Sequence, residues 1–120
     1  MSHTMNIQLE MLDRDAIQAA AERLGLTCSE GTFKIFSTEV TGTSVKLAGW
    51  NFPVVIKSDG SVSYDNYGGR WGDAARLNEF TAHYGIEKAK IEARRQGYSV
   101  IEGLNEETKE LELTICVGEG

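Results

Sequence analysis

The sequence contains few cysteines, no long apolar run and little positive charge. Only Cys28 and Cys116 are present among 120 residues, far apart and without a CxxC pair, which argues against a structural zinc site. A chain of this length can bury a core without disulfides, so we expect two reduced thiols. No apolar run approaches the roughly 18 residues that cross a bilayer. The first residues also lack the basic flank and apolar stretch of a signal peptide.

The charge balance narrows the classes of partner. The chain has 12 basic and 18 acidic residues, a net charge of −6. Such a field repels phosphate, so we expect neither nucleic acid nor an anionic membrane surface as a partner. The absence of a signal peptide and of a long apolar run predicts a cytoplasmic protein. The composition is that of a globular domain, and the length predicts one domain over residues 1–120.

Hydrophobic periodicity predicts an α+β domain. Strict alternation predicts a strand over residues 4–11, followed by a short helix that begins at an Asp13 cap and ends at Gly25. A longer helix is predicted from Asp73 or Ala74 to Gln96. The order is strand, helix, several strands, helix, strand, strand. We therefore expect a mostly antiparallel sheet with two helices packed on one face.

The sequence predicts further strands after the first helix and singles out one glycine within the second helix. Three short strands separated by polar turns come first, at Leu26–Cys28, Thr32–Phe36 and Val45–Leu47. An Asp-Gly pair in a type I′ turn joins the next two, at Val54–Lys57 and Val62–Asp65. Two more follow the second helix, at Tyr98–Glu102 and Leu111–Val117, the latter with an acidic outward face. Gly85, inside the second helix, indicates close packing or a slight bend.

The segment from Tyr64 to Asp73 is the candidate binding site. It combines an arginine and aromatic rings with three glycines, immediately before a helix. Glycines let backbone N–H groups approach a ligand, Arg70 can bind a phosphate or carboxylate, and Tyr67 or Trp71 can stack on a flat ring. The lysine of a Walker loop and the GxGxxG fingerprint are both missing. The predicted ligand-binding residues here are Tyr64, Tyr67, Gly68, Gly69, Arg70, Trp71 and Asp73.

Each of these residues also has a purely structural interpretation. Trp71 can anchor the loop in the core, where its replacement by alanine would cost roughly 3–5 kcal/mol. Arg70 can pair with Asp65 or Asp73, and Asp73 can cap the following helix. Trp50 and Phe52, beside Pro53, can likewise cap the core or form an apolar patch for self-association. We expect a homo-oligomer in the latter case.

Three parts of the sequence together resemble a known but uncharacterised family. They are the opening Met-Ser-His-Thr, the segment Tyr64–Asp73, and the run from Leu77-Asn78-Glu79-Phe80 to Gln96-Gly97-Tyr98-Ser99-Val100. They resemble the domain of unknown function 1257, found in algal plastids, cyanobacteria, other bacteria and phages. The resemblance covers most of the chain and implies a small α+β domain without an established activity. It also keeps His3 at the N-terminus, which makes this histidine either a site residue or only a contact at a strand edge. Some relatives are encoded near AAA-type ATPases, which suggests such an ATPase as a partner.

Two functions follow from these observations. The first is a non-enzymatic, oligomeric binding protein that holds a small anionic, nucleotide-like ligand; in a phage it would sequester a signalling nucleotide. The second is an accessory module that docks on another protein, such as an ATPase. No cofactor is expected. An enzyme is the weakest alternative, because Cys28, Cys116 and His83 form no local catalytic motif. His83 is expected on the solvated surface of the second helix.

Overall fold

A computed structural model describes residues 4–7 and 10–117 of the chain. Two helices are present, α1 (Arg14–Arg23) and α2 (Ala74–Arg95). A single 3₁₀ turn, Tyr67–Gly69, precedes α2. The strands, in chain order, are β1 (Met5–Ile7), β2 (Thr27–Ile35), β3 (Thr38–Lys46), β4 (Val54–Ile56), β5 (Val62–Tyr64), β6 (Ser99–Leu104) and β7 (Leu111–Cys116).

Five of the strands form one antiparallel sheet, in the order β1-β5-β4-β3-β2. One face of this sheet shares a core with both helices, which confirms the predicted α+β class. The sheet contributes Val45, Val54, Ile56 and Val62 to this core, and the helices contribute Ala16, Ile17, Ala20, Ala21, Leu77, Phe80 and Tyr84. No helix among the described residues is long and apolar enough to cross a membrane.

Both helices begin and end where the sequence predicts. Asp13 Oδ1 accepts a hydrogen bond from the Ala16 N–H, and Asp73 Oδ1 accepts one from the Ala75 N–H. These carboxylates satisfy amide donors that have no partner within the helix. Gly25 follows α1 with φ +70°, the left-handed conformation that ends helices without a Cβ penalty.

The predicted strand over residues 4–11 is shorter in the structure. Only Met5–Ile7 is extended and paired, with β5. Residues 8 and 9 lie outside the described part of the chain. Met11 is buried, and its N–H donates to the Gly60 carbonyl at 3.1 Å, which ties this segment to the β4–β5 turn.

The β4–β5 hairpin is placed correctly by the sequence, but the predicted turn type is wrong. A type I′ turn needs positive φ at both central residues, and Asp59 does not have it. The Gly60 N–H donates to the Lys57 carbonyl at 2.9 Å, and Gly60 has φ +86°. Asp59 Oδ1 accepts from both the N–H and the hydroxyl of Ser61. The result is a three-residue loop closed by one left-handed glycine.

The three short strands predicted before residue 50 are instead one long hairpin. β2 and β3 pair over nine residues each, and the turn falls at Phe36-Ser37. Phe36 adopts φ +53°, a conformation rare for a bulky residue. No turn-forming sequence marks Phe36-Ser37. The sequence therefore predicts turns in the more polar stretches, which the structure shows to lie within β2 and β3.

The β2–β3 hairpin bends over the sheet face opposite the helices. Gly31 and Gly42 are opposite each other in the register, and a Cβ at residue 42 would overlap the Ile56 carbonyl. Beyond this glycine pair the hairpin reaches the opposite sheet edge, where the hydroxyls of Thr4 and Thr38 are 3.1 Å apart. Val55, which points away from the helices, is fully buried as a result.

The last two strands do not join the main sheet. Within residues 4–7 and 10–117, β6 and β7 pair only with each other and form a separate two-stranded ribbon. The ribbon follows α2 directly after the turn at Gly97, which has φ +82°. One side chain of the ribbon, Glu102, contacts Arg23 of α1. The expectation of a single sheet is therefore wrong in this detail.

Candidate functional site

Four aromatic rings meet at the surface, and we call them the aromatic cluster: Phe36, Phe52, Tyr67 and Trp71. Trp71 is at the centre. Its ring stacks on Tyr67 with 4.8 Å between centroids, and it meets Phe36 at 5.2 Å and Phe52 at 5.4 Å. Phe36 is 47% exposed, and the other three rings are partly exposed.

Three separate chain segments build the cluster. Phe36 comes from the tip of the bent β2–β3 hairpin, and Phe52 comes from the loop between β3 and β4. Tyr67 and Trp71 lie in the loop before α2. The Asn51 N–H donates to the Trp71 carbonyl at 2.8 Å, which fastens two of these loops to each other. The cluster therefore depends on tertiary structure, since nothing in the sequence links Phe36 to the other rings.

Four backbone amides of the loop before α2 donate within the loop rather than to a ligand, contrary to the role expected for Gly69. The N–H groups of Gly69 and Trp71 both donate to the Asn66 carbonyl, and the Arg70 N–H donates to the Tyr67 carbonyl. The Tyr67 N–H donates to the buried carboxylate of Asp65. Because these donors are satisfied inside the loop, the loop is not a preformed amide nest for anions.

The glycines of this loop serve its backbone conformation instead. Gly68 and Gly69 have φ +63° and +100°, and both are exposed. A Cβ at either position would meet no atom within 4 Å, so close approach of the chain is not the reason for glycine there. Positive φ is the reason, since it is costly for residues that carry a Cβ.

Arg70 carries the only positive charge of this loop. Its guanidinium carbon lies 5.3 Å from the centroid of the Tyr67 ring, within the range of a cation–π contact. Among the described residues, no carboxylate oxygen lies within the 4.0 Å of an ion pair with Arg70. The expected pairing with Asp65 or Asp73 is therefore absent from this part of the chain. Arg70 is an exposed residue.

The other predicted site residues do not join the cluster. Tyr64 points into the core, where its ring packs edge-on against Trp50 at 5.7 Å. Asp73 caps α2, which is the structural role that the sequence predicts as the alternative to ligand binding. His3 lies outside the described residues. The structure therefore brings together Tyr67, Arg70 and Trp71 and adds Phe36 and Phe52, which sequence reasoning did not assign to this site.

The two tryptophans differ in burial. Trp50 is buried at 2% exposure and belongs to the main core, whereas Trp71 is partly exposed in the aromatic cluster. The core interpretation of the Trp50–Phe52 step is correct for Trp50. Phe52 is partly buried and lies in the aromatic cluster, and self-association through this step stays a prediction.

A cavity of about 520 Å³ lies elsewhere, between the start of α1 and the bend of the β2–β3 hairpin. Buried Met11, Ile17 and Ile56 contribute apolar wall, and Arg14 and Glu30 at its edge form an ion pair at 2.7 Å. None of the candidate site residues is among its described lining residues. The only sequence signal for this cavity is the glycine pair at the hairpin bend.

The charged residues between the helices and the ribbon form a paired network. Arg23 Nη1 contacts Glu87 Oε2 at 3.3 Å and Glu102 Oε1 at 2.6 Å, and Lys90 Nζ lies 3.2 Å from Glu87 Oε2. The hydrogen bond from Arg23 lowers the pKa of Glu102. Both carboxylates are thus held by cations, which suits a structural bridge better than general acid catalysis.

The remaining nucleophile and histidine candidates do not form a site. Burial raises the pKa of the Cys28 thiol, and the nearby Glu30 carboxylate raises it further, so the reactive thiolate is disfavoured. Within the described part of the chain, no three His, Cys, Asp or Glu side chains are grouped to hold a metal. His83 is half-buried, and its Nδ1 has no described hydrogen-bond partner, so the expected solvated position is wrong.

Comparison with known proteins found no match: no protein-family model, no curated protein and no solved structure is similar to this chain.

Proposed function

We propose that the protein is a non-catalytic interaction module that binds a segment of another protein through the aromatic cluster and Arg70. One observation carries this proposal. Aromatic rings from three chain segments are gathered at the surface beside a guanidinium that has no carboxylate partner among the described residues. Tryptophan, tyrosine and arginine are the residues that contribute most binding energy at protein interfaces. Folded proteins rarely expose such a cluster without a partner for it.

The shape of the site favours a protein surface over an enclosed ligand. Small-molecule sites are concave and surround most of the ligand. The cavity described above lies at another part of the molecule, and four of the loop amides already donate within the loop. The rings of Trp71 and Tyr67 stack on each other and are only partly exposed, which suits contact with an extended partner better than enclosure of a small ligand.

The chemistry of the cluster defines the partner segment. It should carry an apolar or aromatic side chain to pack on Trp71 and Phe36, next to a carboxylate that accepts from Arg70. Such a charge-assisted contact can be bidentate and therefore fixes orientation as well as affinity. The AAA-type ATPase suggested by the family resemblance is one protein in which to look for such a segment.

A small anionic, nucleotide-like ligand is the second candidate function. It is supported by the availability of Arg70 in a chain with a net charge of −6. Its test is a thermal-shift screen over mono-, di- and cyclic nucleotides with the parent protein and Arg70→Ala. A shift that Arg70→Ala removes would favour this candidate, and equal shifts in both proteins would reject it.

The main proposal can be tested by selecting peptides from a displayed library against the parent protein and measuring their affinities by calorimetry. We expect the selected peptides to combine an acidic and an apolar residue. Arg70→Ala should weaken them by roughly 10- to 150-fold, the loss of one charge-assisted contact of about 1.5–3 kcal/mol. Trp71→Ala should weaken them at least as much.

Arg94→Ala is the matched control, because Arg94 is also exposed but lies at the far end of α2. It should bind the selected peptides like the parent protein. Peptides that bind equally well to Arg70→Ala, Trp71→Ala and the parent protein would reject the aromatic cluster as the docking surface.

A further inference from the structure

The β6–β7 ribbon has one apolar face. The register places Val100 opposite Ile115 and Glu102 opposite Leu113, so these four side chains share a face with Leu104. Val117, just after β7, continues the same alternation. Of the described side chains on this face, only Glu102 is charged, and Arg23 and Lys90 neutralise it at 2.6 and 4.0 Å. The face is therefore apolar without a free charge.

Three of the six described side chains on this face are exposed. The helices reach it at Glu102, near the middle of the ribbon. Leu104 toward the tip is 55% exposed, and Ile115 and Val117 at the base are 44% and 69% exposed. An isolated two-stranded sheet is at best marginally stable in water. A covering surface would therefore stabilise the ribbon as well as hide its apolar side chains.

The charges at the two ends of the ribbon identify the covering surface. The tip, between β6 and β7, carries Glu106, Glu107 and Glu110 with one lysine. The base follows the end of α2, where Arg94 and Arg95 are exposed, but Arg95 already pairs with Glu92 at 3.0 Å and Asp13 at 3.7 Å. Arg94 makes no ion pair with any described residue. A second ribbon laid antiparallel on the first would bring each acidic tip to the other's basic base, whereas a parallel one would oppose like charges.

We propose that two copies of this chain associate through their β6–β7 ribbons, antiparallel and with the apolar faces in contact. Such a pair is related by a two-fold axis, so each contact between tip and base occurs twice. Six residues per strand make a ribbon about 20 Å long. With two strands about 5 Å apart, each face covers only a few hundred Å², so the total buried surface lies below the roughly 1,000 Å² of a stable interface and has the size of a weak, transient one. We expect a reversible dimer with a dissociation constant in the micromolar range.

Sedimentation equilibrium of the full chain between 1 and 200 µM tests the dimer. The parent protein should change from monomer to dimer across this range. Leu104→Lys should weaken association at least 10-fold, because it places a charge in the apolar face. Ile101→Lys is the matched control: Ile101 is 60% exposed but points to the opposite face, opposite Thr114. It should dimerise like the parent protein.

Charge reversal tests the antiparallel arrangement. Glu106→Lys with Glu107→Lys, or Arg94→Glu alone, should weaken the dimer, and the triple variant should restore it. Circular dichroism and melting curves confirm that each variant is folded. A parent protein that stays monomeric at 200 µM, or a folded Leu104→Lys variant that dimerises unchanged, would overturn the proposal. A dimer lost in Trp71→Ala but kept in Leu104→Lys would assign association to the aromatic cluster instead.

Discussion

The indole Nε1 of Trp50 donates a hydrogen bond to the backbone carbonyl of Asp73, 3.0 Å away. Asp73 also caps α2 through its carboxylate, so the buried tryptophan fixes the residue at which the helix begins. The preceding residue, Gly72, is buried directly against the same indole. The loop that carries Tyr67, Arg70 and Trp71 is therefore anchored in the core at its helical end, while its aromatic side chains remain at the surface.

The two tryptophans should differ strongly in their contribution to stability. Trp50→Ala removes a buried ring and its hydrogen bond, so we expect a loss of about 3–5 kcal/mol in the free energy of unfolding. Trp71→Ala removes a partly exposed ring and should cost about 1–2 kcal/mol. Chemical denaturation of both variants measures the difference. Equal losses would contradict the assignment of Trp50 to the core and Trp71 to the surface.

Gly72→Ala should destabilise the protein. A methyl group at residue 72 would overlap the Trp50 indole, so the ring or the loop must move. Overpacking of this kind costs about 1–3 kcal/mol. Denaturant titration of Gly72→Ala gives the loss, and Gly68→Ala serves as a comparison in which only positive φ is strained. A Gly72→Ala protein as stable as the parent would show that the indole can move aside freely.

Gly85→Ala should stabilise the protein, in contrast to Gly72→Ala. Gly85 lies inside α2, is exposed, and has no atom within 4 Å of an added Cβ, so the expectation of close packing there is wrong. Alanine lowers the entropy of the unfolded chain and favours helix, which should stabilise the protein by about 0.5–1 kcal/mol. A higher melting midpoint is the expected result, and a lower one would indicate a role for this glycine that the helix geometry does not explain.

Acid should weaken the attachment of α1 to α2 through Asp13. Burial raises the pKa of this carboxyl, but the Ala16 N–H, Lys88 and Arg95 together outweigh burial and leave the pKa below its usual 3.8. A carboxyl with a lowered pKa in the folded state stabilises the fold above its unfolded pKa and loses that contribution as the pH falls. The stabilisation should therefore disappear below about pH 4.

Asp13→Asn isolates this effect, because asparagine caps helices as well as aspartate but carries no charge. At pH 7 the variant should melt at a lower temperature than the parent protein. Between pH 5 and about pH 2 the two melting curves should converge as the parent protein loses its ion pairs. Parallel melting temperatures over that range would contradict the role of the Asp13 ion pairs.

Local sequence determined the helices and the position of one hairpin. An aspartate before each apolar helical stripe and a glycine after it set both helix ends, because capping and left-handed termination depend only on residues within one turn. The Asp59-Gly60 pair likewise located a reversal. It did not select the turn type, since the side chain of Asp59 binds Ser61 and leaves a single residue, Gly60, with positive φ.

Tertiary structure decided the rest. Phe36 turns the β2–β3 hairpin without a turn-forming sequence, because the glycine pair at Gly31 and Gly42 lets the hairpin bend and carries Phe36 onto Trp71. The residue types of Tyr67, Arg70 and Trp71 predicted a candidate site from the sequence. They could not predict that amides of this loop donate to carbonyls within the loop. Side-chain type and spacing are local properties and were readable from the chain. Contacts between residues distant in sequence decide which rings meet, which tryptophan is buried and which ribbon face stays uncovered. Only the folded chain supplies those contacts.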